Sequence, residues 1–422
     1  MQGAGKKVYV LFVACLVLAG LLLLLAFRIG DTSRWEAMTD RVGQLKIAAR
    51  VREVNRSVLT GEPIGGNAWE DYNVALEDAV LLAREDQNGS IYYQFASGDT
   101  KVDRARVRQL VAGHAKAIEH LRLGAKRSDG QYLYNWEMGP SMDYPGFLAS
   151  RKLGNIALAQ SRILTEKGRP QEAAELLLDT AVFAKDLSTN SPLLSNLIGM
   201  AMYYTAFDGL QQLLLSRRLT PKQLADLAAK LEIVDRDFPA VSSMTANEPL
   251  SIGMYLTALT SGPAALTSVR ERERYYGWRF AVFPSQTVLE AFETSDLVAQ
   301  RFQQFDELSF PEAKKEVNAL AARTNPSSNA LLKEVLANMP RVLENHHEAL
   351  AKLRLMRAAA TLLATGKMPT IVDPFGTHIL SRRDRNTIRI WSVGRDGTSQ
   401  NGVGDWTGQP DIVLEIPVNA SR

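Results

Sequence analysis

The longest apolar stretch of the chain lies near its start and constrains the fold most strongly. Every residue from Val8 to Phe27 is apolar or glycine, apart from the amphipathic Tyr9. As a helix rising about 1.5 Å per residue, this run reaches roughly 30 Å, the thickness of a bilayer's hydrocarbon core. It predicts that residues 1–30 form a short tail and a transmembrane helix held in the lipid bilayer. The predicted anchor includes Val8, Leu11, Leu18, Leu22, Leu25 and Phe27.

Two other interpretations of this run are weaker. A cleaved signal peptide has an apolar region of about 7–15 residues before a small-residue cleavage site, whereas here the run continues through residues 21–25. The tripeptide Val13-Ala14-Cys15 resembles a lipobox, but an apolar segment follows the cysteine where lipoproteins have polar chain. We therefore expect a retained, single-pass anchor.

The charges that flank the run bear on its orientation. Lys6 and Lys7 precede it, and Arg28, Arg34 and Arg41 follow it, so the distribution of positive charge is nearly balanced. A short tail before a first apolar segment usually stays in the cytoplasm. We therefore expect most of the chain to lie outside the cytoplasm.

Composition indicates a folded body behind the anchor. Hydrophobic residues make up 46% of the chain and charged residues 23%, which are values typical of globular domains with a sizeable core. The formal net charge of +3 gives no basic footprint for nucleic acid. The single cysteine, Cys15, lies inside the predicted span, so the chain has neither an intrachain disulfide nor a cysteine-based zinc site.

Helical periodicity and helix-end signals fill the body, residues 31–366. The clearest part is the run of helices from Phe147 to Leu231, in which Gly168 is placed to end one helix and Pro170 to begin the next. Thr220 and Gln223 have the spacing of a capping box at the start of another. The spacing predicts antiparallel helical hairpins, and the fold class is mainly α.

Later in the body, prolines and polar clusters prompt three further predictions. Pro340 is expected to separate a helix over residues 330–338 from one over 341–365. The adjacent residues His346-His347-Glu348 lack the spacing of a zinc site. They are expected to be polar residues on a solvent-exposed part of a helix. The basic and aromatic stretch from Arg270 to Phe280 is compatible with a membrane surface or an anionic ligand, and more so with a solvated helix end.

After Thr365-Gly366 the pattern changes from helical to β. Short runs rich in β-branched residues, at residues 371–372, 388–391 and 412–416, alternate with loops rich in Gly, Asn and Asp. Residues 367–422 are therefore expected to form a small β module.

Two resemblances concern the helical body. The segment from Gly168 to Ala174 resembles a tetratricopeptide-type hairpin, although no recurrence at about 34 residues accompanies it. The order of features resembles an uncharacterised family of bacterial single-span envelope proteins, through Asn67-Ala68-Trp69 with Tyr72, then residues 121–125, then the helical pairs. That likeness implies the cytoplasmic (inner) membrane of a bacterium and implies no activity.

The β module resembles the C-terminal part of the major pseudopilins of type II secretion. The resemblance is found in residues 373–376, in residues 391–397 and at the end of a Gly-rich loop, which contains Asp405 and Asp411. In that family the final loop binds calcium, a cation that takes oxygen ligands, and the likeness implies Asp405 and Asp411 as ligands with Asp396 as a third. The chain departs from the family because its apolar helix contains no acidic residue. Asp and Gly also form tight turns without any metal.

Motifs for catalysis are absent from the sequence: it contains no G-x-S-x-G elbow and no H-E-x-x-H spacing. Whether the protein is an enzyme stays open. Three hypotheses follow: a membrane-anchored extracytoplasmic scaffold for a protein partner, a membrane-tethered enzyme or small-ligand binder, and a pseudopilin-like component of a secretion apparatus. A body of helical pairs favours the scaffold.

Overall fold

The structure is a computed structural model, and it describes residues 33–49, 56–81, 90–136, 144–260, 284–324, 330–407 and 410–418. Over these residues the chain is mainly helical with a small β part, as the sequence predicts. None of the helices in these ranges is both long and apolar enough to cross a bilayer. The predicted anchor, residues 1–30, and the basic-aromatic stretch Arg270 to Phe280 lie outside the described residues.

The first part of the body is a helical layer with one small parallel strand pair. Helix α1 (33–49) packs beside a later helix (Pro284–Phe305) through the ion pairs Arg34–Glu293 at 2.8 Å and Arg41–Asp296 at 3.0 Å. The elements are α1 (33–49), β1 (Ile64–Asn67), α2 (Trp69–Leu81), α3 (Ser90–Ser97), α4 (Arg104–Gly113), α5 (Ala115–Lys126) and β2 (Arg127–Asp129).

Four helices in antiparallel hairpins form the centre of the body: α6 (Phe147–Glu166), α7 (Pro170–Ser188), α8 (Leu193–Leu215) and α9 (Pro221–Arg236). Helix α6 closes where predicted, with Gly168 at φ +76° and the Arg169 N–H donating to the Leu164 carbonyl at 2.9 Å. Helix α7 is buried along most of its length and packs on both α6 and α8.

The capping box at the start of α9 is also confirmed. The Thr220 hydroxyl accepts the Gln223 N–H, and the Gln223 side chain accepts the Thr220 N–H at 2.9 Å. These ends depend on contacts between neighbours in sequence, which is why the sequence predicts them.

The remaining helices cover one side of the central hairpins. They are α10 (Glu248–Thr260), α11 (Pro284–Phe305), α12 (Phe310–Thr324) and α13 (Ala330–Thr365), and a short 3₁₀ turn (Val241–Met244) precedes α10. The predicted break at Pro340 is wrong, because α13 continues through this proline. A proline removes one N–H donor from a helix, and packing of α13 against α8, α9 and α12 holds the rest of the helix together.

The predicted exposure of the His346-His347-Glu348 segment is wrong as well. His346 and Glu348 are only 5% and 6% exposed. The His346 ring packs on Phe238 and its Nε2 lies 2.6 Å from the Pro239 carbonyl oxygen. The long α13 helix is covered on more than one side, so its polar residues there face other elements rather than solvent.

The β module is one sheet of four strands, β3 (Leu380–Arg383), β4 (Thr387–Ser392), β5 (Gly404–Asp405) and β6 (Asp411–Pro417), in the order β3-β4-β6-β5. Strand β4 pairs antiparallel with β3 and β6, and β5 pairs parallel with β6. The predicted strand at residues 371–372 is instead a loop, closed where the Ile371 carbonyl accepts the Ile379 N–H at 2.9 Å.

The β module and the helical body share one apolar core. Phe375 of the module meets Phe310 of α12 edge to face, with ring centroids 4.6 Å apart. Strand β4 packs on α13, and β6 packs on both α8 and α13. The module therefore lies against the same helices that form the centre of the body.

Candidate functional site

Two glycines let helices α6 and α8 approach each other closely. A Cβ atom at Gly154 of α6 would lie 2.3 Å from the Met202 side chain of α8, and one at Gly209 of α8 would lie 2.8 Å from Leu158 of α6. Both contacts are shorter than any side chain tolerates. The two helices run side by side in the same direction, with α3 packed on α6.

A groove follows this helix pair along its exposed side. We call it the α3–α8 groove, and it is lined by residues of α3, α6 and α8. It contains two cavities, of about 450 Å³ and about 320 Å³, which follow one another along the same three helices. The larger cavity lies at the start of the helices and includes Tyr93, Arg151, Asn155, Ala201, Tyr204 and Asp208.

Asp208 is the acidic residue among those that line the larger cavity. It accepts a hydrogen bond from the Trp406 indole Nε1 at 2.7 Å and another from the Tyr93 hydroxyl. Burial raises the pKa of the Asp208 carboxyl, and burial together with Asp208 raises the pKa of Tyr93. Asp208 is the only acidic residue in α8. Its carboxylate therefore joins α3, α8 and the β module at one point.

Helix α13 and the β module support the same wall of the cavity. The Lys352 ammonium lies 4.8 Å from the Tyr204 ring centroid and 5.2 Å from that of Trp406, which are cation–π distances. Glu348 forms ion pairs with both Lys352 and Arg395. The wall is thus built from residues that are far apart in sequence and held by charge-assisted contacts.

Large apolar side chains are exposed where α6 and α8 begin, one helical turn before the cavity residues Arg151 and Ile198. Leu148, in the first turn of α6, is 61% exposed, and Leu194, in the first turn of α8, is 49% exposed. Tyr93 of α3 is 44% exposed and lines the larger cavity. We call these three residues the apolar mouth. Leu148 faces out of the core although it is a large apolar residue.

The smaller cavity lies toward the ends of α6 and α8. It is lined by Ser97, Arg162, Thr165, Glu166, Gln212 and Arg218, among others. Eight of its eleven lining residues are polar, and we call this the polar end of the groove.

The three aspartates predicted to bind calcium are placed around the loop between β4 and β6. Asp411 is buried and accepts the N–H groups of Gly402 at 2.9 Å and Gln400 at 3.1 Å. Asp396 accepts the Thr398 N–H at 2.9 Å and the Gln400 side-chain amide at 2.8 Å. Gln400 thus links these two carboxylates.

Asp405 belongs to a different turn, where it accepts the Thr407 N–H at 2.7 Å. Burial, and to a smaller extent the charge of Asp396, raises the pKa of Asp411. Within the described ranges no group of three or more His, Cys, Asp or Glu side chains is arranged to hold a metal ion. Calcium binding stays a prediction, and each of these carboxylates already caps a turn.

Sequence reasoning did not identify the groove residues. One signal was present: Asp208 is a lone acid in an otherwise uncharged helix of 23 residues. The partners of Asp208 come from α3 and the β module, and no local pattern links them. The arginines around the smaller cavity also come from separate helices.

Comparisons with known proteins add no relative to this picture. The chain matches no known family model, no characterised protein and no solved structure.

Proposed function

We propose that this protein is a membrane-anchored extracytoplasmic scaffold whose α3–α8 groove binds a segment of a partner protein. The observation that supports the proposal is the apolar mouth: Tyr93 lines the larger cavity, and the exposed Leu148 and Leu194 lie one helical turn before its lining residues Arg151 and Ile198. Exposed apolar groups beside a concave surface are characteristic of protein interaction sites. Burying them on binding yields roughly 25 cal/mol per Å².

The shape of the groove supports a chain segment as the occupant. The cavities of about 450 Å³ and about 320 Å³ follow one another along three helices rather than forming one closed chamber. A segment that places a large apolar side chain at the mouth can continue toward the polar end. The tetratricopeptide-like hairpin of α6 and α7 fits this proposal, since stacked helical pairs present extended binding surfaces.

Site-specific photo-crosslinking tests the proposal. A photoreactive amino acid replaces Ala201, which is exposed in the larger cavity, in the full-length chain in native membranes. The matched control carries it at Leu297, which is 47% exposed on the distant helix α11. We expect a discrete protein adduct at position 201 and none at position 297.

Charge substitutions at the mouth sharpen the same experiment. Leu148→Glu and Leu194→Glu should each weaken the adduct, because they place a carboxylate on an apolar contact, whereas Leu297→Glu should not. Failure to form an adduct at position 201, under conditions that recover a known complex, would remove the scaffold proposal. An equal adduct at position 297 would also remove it.

The location of the body outside the cytoplasm is part of this proposal. Protease added to cells stripped of any outer barrier should digest the body while leaving a cytoplasmic marker intact. Complete protection of the body would reverse the orientation and place the groove in the cytoplasm.

A small-ligand binder is the second candidate, favoured by the larger cavity. Its volume of about 450 Å³ lies within the usual range for ligand sites, and Asp208, Tyr93 and Arg151 converge on it. Mass spectrometry of the purified chain under non-denaturing conditions distinguishes the two. A retained small molecule that Asp208→Asn releases would favour this candidate over the scaffold.

A further inference from the structure

Three arginines contact a single glutamate at the polar end of the groove. Arg104 and Arg108 reach across from α4, and Arg162 lies one turn before Glu166 on α6. The Arg108 Nη2 lies 2.9 Å from one carboxylate oxygen of Glu166, and the Arg162 Nε lies 3.2 Å from the other. Arg104 also contacts this second oxygen.

A fourth arginine joins this group across the smaller cavity. Arg218 donates to the Thr165 carbonyl at 2.6 Å, and it lines the cavity together with Arg162 and Glu166. Four guanidinium groups therefore lie around the end of α6, and three of them contact the Glu166 carboxylate. We call Arg104, Arg108, Arg162 and Arg218 the arginine cluster.

The cluster is fixed in place yet accessible. Arg104 and Arg162 stack on the Phe95 ring, with the guanidinium carbons 5.0 Å and 5.8 Å from its centroid. The side chains of Arg104 and Arg108 are 42% and 49% exposed. Each guanidinium has five N–H donors, and the contacts described here use one or two of them.

We propose that the arginine cluster is the subsite for acidic side chains of the partner segment, so that the groove selects a segment with an apolar anchor followed by carboxylates. This inference rests on the proposed function. Arginine suits such a site because its planar donors match the geometry of a carboxylate and its charge persists at any physiological pH.

The geometry also fixes a spacing along the segment. Leu148 and Glu166 lie on the same helix, 18 residues apart, which corresponds to about 27 Å at 1.5 Å per residue. An extended segment covers that distance in about eight residues at 3.3 Å each. The apolar anchor and the acidic group should therefore be about eight positions apart in an extended partner.

Chemical footprinting of the full-length chain in detergent micelles tests the subsite directly. Phenylglyoxal modifies accessible arginines, and mass spectrometry measures the modification at each residue. A penta-glutamate peptide should protect Arg108 and Arg162, whereas a penta-glutamine peptide should not. Arg301, exposed on α11, serves as the internal control and should react equally throughout.

The Glu166 carboxylate competes with an acidic ligand for the arginine cluster. Removing its charge provides a gain-of-function test that does not depend on a damaged fold. Glu166→Gln should tighten binding of penta-glutamate by about threefold, because it frees donors and removes a negative charge. Glu172→Gln is the matched control, since Glu172 forms an exposed ion pair with Arg169 on α7. It should leave binding unchanged, and Arg108→Gln should weaken it.

Several outcomes would overturn the subsite. The first is equal protection of the arginines by penta-glutamate and penta-glutamine. The second is unchanged penta-glutamate binding in Glu166→Gln. The third is protection by inorganic phosphate equal to that by penta-glutamate at the same concentration. The last result would indicate an anion site without preference for acidic side chains.

The subsite and the scaffold fail separately. Protection without any adduct at position 201 would retain the subsite and remove the scaffold. If instead an adduct forms at position 201 and Arg108→Gln leaves it unchanged, the scaffold is retained and the subsite is removed.

Discussion

Arg56 and Asp186 form a fully buried ion pair in the described body. The Arg56 Nη2 lies 2.6 Å from Asp186 Oδ2, and the two side chains are 1% and 0% exposed. Tyr72 also donates to Asp186 at 2.8 Å, and Arg56 donates to the Gly124 carbonyl at 2.8 Å. The pair thus ties the segment before β1 to helices α2, α5 and α7.

Breaking this pair should be costly. Asp186→Ala leaves a buried guanidinium without its counter-charge, so the free energy of unfolding should fall by about 3–5 kcal/mol. Glu172→Gln at the exposed pair with Arg169 should change it by less than about 1 kcal/mol. Urea denaturation of both variants measures the difference, and equal effects would contradict the buried role of Asp186.

The two histidines of α13 make stability depend on pH. Burial lowers the pKa of both His346 and His347 from 6.5 to about 4. The unfolded chain therefore binds more protons than the folded chain between these values. Stability is full above pH 6.5 and falls as the pH drops toward 4, by about 1.4 kcal/mol per pH unit for each imidazole.

A neutral replacement of His346 isolates its contribution to the pH dependence of stability. His346→Gln retains a donor for the Pro239 carbonyl and does not titrate, so its loss of stability between pH 7 and pH 5 should be smaller than that of the unchanged chain. Denaturation curves at the two pH values give the comparison. Equal losses would mean that His346 does not carry the effect.

At the scale of elements, the signals that succeeded are short in range. The end of α6 at Gly168 and the capping box at Thr220 depend on residues within five positions of each other. The signals that failed depend on distant packing, which decides the course of α13 through Pro340 and the burial of His346. Sequence patterns therefore predicted helix ends well and helix environments poorly.

Gly168 offers a test of this local control. Its φ of +76° suits glycine and, less well, asparagine, but strains a β-branched residue. Gly168→Val should lower the free energy of unfolding by about 1–2 kcal/mol, and Gly168→Asn by less. Nothing lies within 4 Å of an added Cβ atom, so a steric clash does not contribute. Similar costs for the two variants would contradict the backbone explanation.

At the scale of the whole molecule, the β module supports one wall of the groove. The Trp406 indole meets Asp208 of α8, and Arg395 reaches Glu348 of α13. The sequence predicted a helical body and a β module but not this contact, because the joined residues belong to separate elements. The candidate site was missed for the same reason.

A double-mutant cycle measures the contact between module and body. Trp406→Phe keeps an aromatic ring for Lys352 but removes the indole donor, which should lower the free energy of unfolding by about 1–2 kcal/mol. The same change should cost less when Asp208→Asn is already present. Additive effects in guanidinium denaturation would show that the two side chains are not coupled.

The hydrogen bond between Trp406 and Asp208 joins residues 198 positions apart. During synthesis the helices α3, α6 and α8 emerge long before Trp406, so the nascent body lacks the contact that supports Asp208 in the groove. Only a chain elongated beyond residue 406 has the complete surface. Maturation of the groove therefore requires synthesis beyond Trp406, because a shorter nascent chain has no indole donor for Asp208.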